Sequence, residues 1–150
     1  QDRIAVIDEA GLAELERGSL DAVVVNSLLQ YVPKPELGGL LALWREKLKP
    51  GGRLILGDVL PPDLSTAQDV AALMRFAAQG GFVLPALAGL VKTFFSPYRK
   101  LRAQTPLVTY REDEMLALLA AAGFEGRRER ANIGHNPARM TFVASKKGEA

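Results

Sequence analysis

Cysteine is missing from this 150-residue chain, and histidine occurs once, at position 135. Without thiols there are no disulfides and no thiolate metal ligands, a usage that fits a reducing cytoplasm. A single imidazole does not build a histidine zinc site, so no metal is expected. Charge of one sign is scarce too: 19 basic and 17 acidic residues leave a net +2. An isoelectric point near 9.1 does not supply the dense basic stripe that phosphate backbones require, so nucleic acid is not expected as a partner. The opening QDRIAVIDEAG lacks the basic-then-apolar pattern of a signal peptide. Long greasy runs are missing as well. Phe82 to Phe95 is interrupted by Pro85, Gly89 and Lys92 and falls short of the roughly 18 apolar residues of a membrane span. An apolar share of 48% with 24% charged residues leaves a globular chain, of a length that suits one domain.

What is present alternates between strand and helix patterns. Ile4 to Ile7 is a short β-branched run, expected as a strand ending at Asp8. Ala22 to Val25 is a continuous apolar run, the pattern of a parallel strand buried on both faces. In Pro35 to Leu48, Leu37, Leu40, Leu41, Trp44 and Leu48 share one helix face. Lys49-Pro50-Gly51-Gly52 turns the chain into Arg53 to Leu56, a second buried strand ending at Gly57-Asp58. Strand, helix, strand in this order is a parallel crossover. Further on, Ala67 to Ala78 is expected as a helix and Phe82 to Phe95 as an apolar one, followed by a basic, irregular stretch from Ser96 to Leu107. Glu112 to Ala122 is a helix with an acidic first turn and Gly123 as its stop. Gly126 to Ile133 and Met140 to Ala144 read as two strands of a hairpin joined by GHNPAR.

VVNSLLQYV, then a helix, then LKPGGRLILGDV, and later a helix ending LLAAAGF before two final strands, together resemble the second half of a class I S-adenosylmethionine-dependent methyltransferase. The resemblance runs from Ile4 to Ser145. It implies an α/β, partial Rossmann-like doubly wound sheet, mostly parallel, with an antiparallel strand in a C-terminal β-hairpin. Residues 1–150 form a single partial domain on this reading, and 60–110 a helical lid inserted after the second core strand. The chain departs from the family at its start. No G-x-G occurs anywhere, whereas the family's first strand leads into a GxGxG loop against the cofactor. The following strand, with its acid for the ribose hydroxyls, is also missing. Ile4 to Asp8 then falls on the family's third strand. The chain is therefore expected to be the C-terminal portion of a longer protein. Ala22 to Val25 would otherwise be a bare sheet edge, to be covered by the missing segment, by Ile4 to Ile7, or by another chain in a homo-oligomer.

In open α/β sheets ligands sit outside the carboxyl ends of the strands. There the resemblance implies S-adenosylmethionine as cofactor and a small molecule as substrate. Asp8-Glu9-Ala10 corresponds to the loop whose carboxylate accepts from the adenine amino group, and either acid could serve. Asn26, Ser27 and Leu28 correspond to the wall at the cofactor's methionine end; Asn26 or Ser27 could equally cap a helix. Gln30 and Tyr31 fall about a turn later over the same mouth, as substrate contacts. Asp58 could hold a substrate group or simply end its strand. His135, with Asn136 beside it, would hang from the hairpin at the rim, where a neutral imidazole can take a proton from the acceptor. An apolar lid suits a nonpolar or aromatic substrate. The rival expectation is a non-catalytic Rossmann-like module that binds a partner through its edge and lid. A nicotinamide oxidoreductase lacks its glycine fingerprint here.

Overall fold

The computed structural model describes residues 4–94 and 107–147. Its elements run α1 (Glu9–Glu14), β1 (Leu20–Asn26), a 3₁₀ turn (Leu29–Tyr31), α2 (Lys34–Lys47), β2 (Leu48–Val59), α3 (Thr66–Gly80), α4 (Val83–Phe94), α5 (Glu112–Ala121), β3 (Phe124–Arg128) and β4 (Met140–Lys146). The strands form one sheet in the order β1-β2-β4-β3. β1 and β2 are parallel, joined through α2. β4 runs antiparallel to both β2 and β3. The expected crossover and the expected hairpin are both present.

The core lies on one face of this sheet. Leu37, Leu41 and Trp44 of α2 and Met115 and Leu119 of α5 pack over Val25, Leu54, Leu56, Phe124 and Phe142. Truncating one of these fully buried leucines to alanine costs about 2–5 kcal/mol, the transfer term plus the cavity left behind. The helix ends follow local chemistry. Ser65 and Gln68 form a reciprocal capping box at the head of α3, and Gly81, with φ of 73°, closes it in left-handed backbone. Lys47 is buried at the end of α2, where its ammonium donates to the Ala13 and Leu15 carbonyls at 2.8 and 2.7 Å. These bonds tie the tail of α1 to the start of β2.

The structure corrects four expectations. Ile4 to Ile7 is not a strand; its side chains are exposed and it pairs with no strand among the described residues. A strand needs a ladder for its backbone groups, and none is offered there. β1 is not buried on both faces. Val23 and Val25 face the core, whereas Val24 is 59% exposed on the other side. Val24 heads a cross-strand row with Ile55 and Val143 that no helix covers fully. LKPGG does not end before the strand: β2 begins at Leu48, and the extra residues are absorbed in a register shift between Leu20 and Ala22. β3 starts at Phe124 and stops at Arg128, well before Ile133, because the following residues turn away to build the sheet edge described next. The basic stretch from Ser96 falls almost wholly outside the described residues. No helix among them is long and apolar enough to cross a membrane.

Candidate cofactor and substrate site

β1 and β2 end side by side, Asn26 opposite Gly57. The next residue of each, Ser27 and Asp58, adopts left-handed backbone with φ of 55° and 60°. Neither is glycine, so each turn stores about 1 kcal/mol or more and must be held by its surroundings. The holding contacts are specific. Ser27 N–H donates to the Gly57 carbonyl at 3.1 Å. Asp58 N–H donates to Asn132 Oδ1 at 3.1 Å. The Asp58 carboxylate accepts from Ser27 Oγ at 2.8 Å, Asn132 Nδ2 at 2.9 Å and Arg139 Nη1 at 2.6 Å.

Arg139 carries the network outward. Its Nη2 and Nε grip the Asp69 carboxylate of α3 at 2.8 and 3.2 Å, a two-pronged contact that fits the guanidinium plane. Asn136 donates to the same carboxylate from an almost fully buried position. Gln30 Oε1 lies 3.4 Å from Arg139 Nη1. Thr141 Oγ1 accepts from Ile133 N–H and donates to Asn132 Oδ1, closing the base of the hairpin loop. Burial alone would lower the Arg139 guanidinium. The hydrogen bond to Asp69 and the charges of Asp58 and Asp69 outweigh it, so its pKa is raised and it stays a cation. One buried cation thus faces two carboxylates, and neutral amides and hydroxyls supply the remaining donors.

Several expected site residues meet here and change character. Asn26, Ser27, Gln30, Asp58 and Asn136 all lie at this edge. Ser27, Asp58, Gln30 and Asn136 direct their polar groups into the protein's own network. Asn26 differs. It is exposed, its Oδ1 lies over Gly57, and its side-chain amide has no hydrogen-bond partner among the described residues. Leu28 and Tyr31 are also exposed beside it. His135 is exposed across the edge, with its ring 5.7 Å from that of Phe76 on α3. Asp8 takes no part in the network: its carboxylate accepts from Gly11 N–H at 2.9 Å and caps α1. Ala10 is exposed on that helix, and the side chain of Glu9 lies outside the described residues.

Arg139, Asn132 and Asp69 were not expected. Arg139 sits in GHNPAR, which by composition is only a turn, and Asp69 looks like an ordinary acidic residue in the first turn of a helix. The available signal was the pair of asparagines flanking Gly134, residues that commonly bond to nearby backbone in loops.

No protein-family model matches the chain, and no curated protein matches it in sequence. Solved structures do match in shape. Human N-acetylserotonin methyltransferase in complex with S-adenosylmethionine is 15% identical with a TM-score of 0.53, over 91% of this chain and 32% of that one. A possible exported protein from Bordetella parapertussis is 22% identical with a TM-score of 0.55, over 91% and 42%. The 1,6-didemethyltoxoflavin N1-methyltransferase of Burkholderia thailandensis, bound to 1,6-didemethyltoxoflavin and S-adenosylhomocysteine, is 17% identical with a TM-score of 0.50, over 91% and 48%. The chain thus spans about a third to a half of the length of these structures. With β1, α2, β2 and the closing antiparallel hairpin in place, the chain carries part of the Rossmann-like fold of class I S-adenosylmethionine-dependent methyltransferases.

Proposed function

We propose that this edge is one wall of an S-adenosylmethionine site in a methyltransferase acting on a small, nonpolar or aromatic molecule. The observation that carries the reading is Asn26. The polar side chains of Ser27 and Asp58 beside it are spent inside the protein, while its own amide stands exposed at the carboxyl end of β1, unpaired among the described residues. This wall suits the amino-acid end of the cofactor. It offers no glycine-rich loop, so on this reading the chain is the C-terminal portion of a longer protein whose preceding half supplies the opposite wall. Asp8 or Glu9 remains the carboxylate assigned to the adenine.

S-adenosylmethionine, held at its amino-acid end by Asn26, would supply an electrophilic methyl for in-line transfer to the acceptor. The chain's own residues chiefly position the reactants. Ser27 and Asp58, locked by Arg139, fix the corner on which Asn26 sits. Leu28, Tyr31, Phe76 and Ile133 give the rim exposed apolar surface, which suits an apolar acceptor. Residues 60–110, of which 95–106 lie outside the described residues, are the lid on this reading. His135 is the group at the rim able to take a proton where the acceptor must lose one. Absent cysteine fits a cytoplasmic setting.

Calorimetry with S-adenosylmethionine and S-adenosylhomocysteine tests this, on this chain and on a longer protein that contains it. Weak or no binding to the chain and clear binding to the longer protein are expected. There, Asn26→Ala should weaken binding, and Tyr31→Phe and His135→Ala should lower turnover with the fold intact. A longer protein that has the glycine loop and binds neither compound defeats the reading. The second reading, a partner-binding module without catalysis, draws on the unpaired outer edge of β1. It would be favoured by a full-length protein without a glycine loop.

A further inference from the structure

α4 turns its greasy side outward. Val83, Leu84, Leu87 and Val91 are exposed, Leu84 at 79%. At helical spacing these four lie with Ala88 on one continuous arc. The half-buried Ala86 and Leu90 lie on the adjoining arc beside Val83, and α4 packs against α3. A helix that merely covers a core in water has the reverse arrangement. Phe76 of α3, also exposed, stands edge-on to Phe82 at 5.5 Å, so the apolar surface continues round the corner of the helix pair.

The exposed charges of the described helix pair are of one sign. Between Asp69 and Glu112 the chain has no acidic residue and six basic ones. Arg75 and Lys92, the two in the described helix pair, are both exposed. Asp69, the one acid at the base, is turned inward and held by Arg139 and Asn136. An exposed apolar ridge on a helix pair whose exposed charges are the cations Arg75 and Lys92 is the chemistry of a surface that meets acyl chains and anionic headgroups together. A second copy of the chain fits less well, because a two-fold contact on this face sets Arg75 and Lys92 against their own kind.

We infer that the α3–α4 helix pair is a peripheral docking surface for membranes carrying anionic phospholipid. It lies on the bilayer rather than through it. The inference does not depend on methyl transfer and fails or stands separately from it.

Flotation with lipid vesicles tests it. The chain should float with phosphatidylcholine vesicles that contain phosphatidylglycerol, and not with phosphatidylcholine alone. Raising the salt concentration should release it, because headgroup attraction is screened. The Leu84→Ser, Leu87→Ser, Val91→Ser triple variant changes only exposed side chains, so its circular dichroism should be unchanged and its flotation lost. Lys92→Gln should weaken binding roughly fivefold, the share of one basic residue near an anionic surface. Failure to float with either vesicle overturns the inference. So does equal binding to both, flotation of the triple variant like the parent, or a ridge-dependent dimer in ultracentrifugation without vesicle binding.

Discussion

Arg139 reaches Asp58 with Nη1 2.6 Å from Oδ2, at the point where β2 leaves the sheet, and both side chains are nearly excluded from solvent, at 11% and 6% exposure. The same guanidinium holds Asp69 of α3. Removing the cation leaves the buried Asp58 carboxylate without its charge partner. Arg139→Met is expected to cost about 3–5 kcal/mol, the usual price of breaking a buried pair from one side. Urea denaturation of the variant measures it. Asp69→Asn keeps the Asp58 contact and should cost clearly less. Equal losses in the two variants would mean that the Asp58 contact contributes nothing of its own.

Gly57 sits under that corner. A Cβ there would fall 2.2 Å from Ile133 Cδ1 and 2.6 Å from Asn26 Oδ1. Gly57→Ala should destabilise by about 1–3 kcal/mol through overpacking. Adding Ile133→Ala should return part of the loss, since Ile133 makes the closest contact. Thermal melts of the single and double variants decide this. Strict additivity would mean the clash is relieved elsewhere.

Most of the sheet was legible in the sequence, and the edge was not. Leu37, Leu41, Trp44 and the LKPGGRLIL strand announce themselves because burial selects their apolar pattern. Asn26 was legible as well, by its place just after an apolar run. The limits of β1 were not. Its four apolar residues suit a central strand, yet only alternate ones are covered, and no local pattern records which strands stand beside it. Ile4 to Ile7 has the composition of a strand and lacks a ladder to join. The roles of Arg139 and Asp69 depend on residues 70 positions apart meeting, a relationship that period and composition do not encode.

Tyr110 is fully buried, and its hydroxyl has no hydrogen-bond partner among the described residues. Burial, and then the charge of Glu114, raise its pKa. The ring itself is well used, with Lys34 Nζ 5.0 Å from its centre. Tyr110→Phe keeps the ring and removes the unpaired group. It should stabilise the protein by about 1 kcal/mol. A loss of stability in chemical denaturation would show that the hydroxyl is satisfied.

Lys34 also ties α2 to α5, with Nζ 2.5 Å from Glu114 Oε1. Its hydrogen bond holds the Glu114 carboxyl below the ordinary glutamate range. A folded-state pKa below the unfolded one gives stability that is complete above the unfolded value. That stability is lost as the pH falls through the folded value. Lys34→Met should therefore lower stability at neutral and mildly alkaline pH, change it little in strong acid, and so flatten the acid limb. The effect is small, because the pair is partly open to solvent. Denaturation midpoints across an acidic series, with and without Lys34, report it; parallel curves would contradict the assignment.

The sheet order has a consequence for how the chain is made. β2 lies between β1 and β4, but β4 follows it by some 80 residues. As the chain leaves the ribosome, β2 must wait with one flank open until the far hairpin emerges. Arg139 arrives with that hairpin, so Asp58 lacks its cation during the same interval. Vectorial synthesis thus passes through a state with an open strand and an unpaired Asp58, and both are relieved in one step when β4 docks. A nascent chain stalled before Met140 should for this reason be the most protease-sensitive and chaperone-dependent form of the protein.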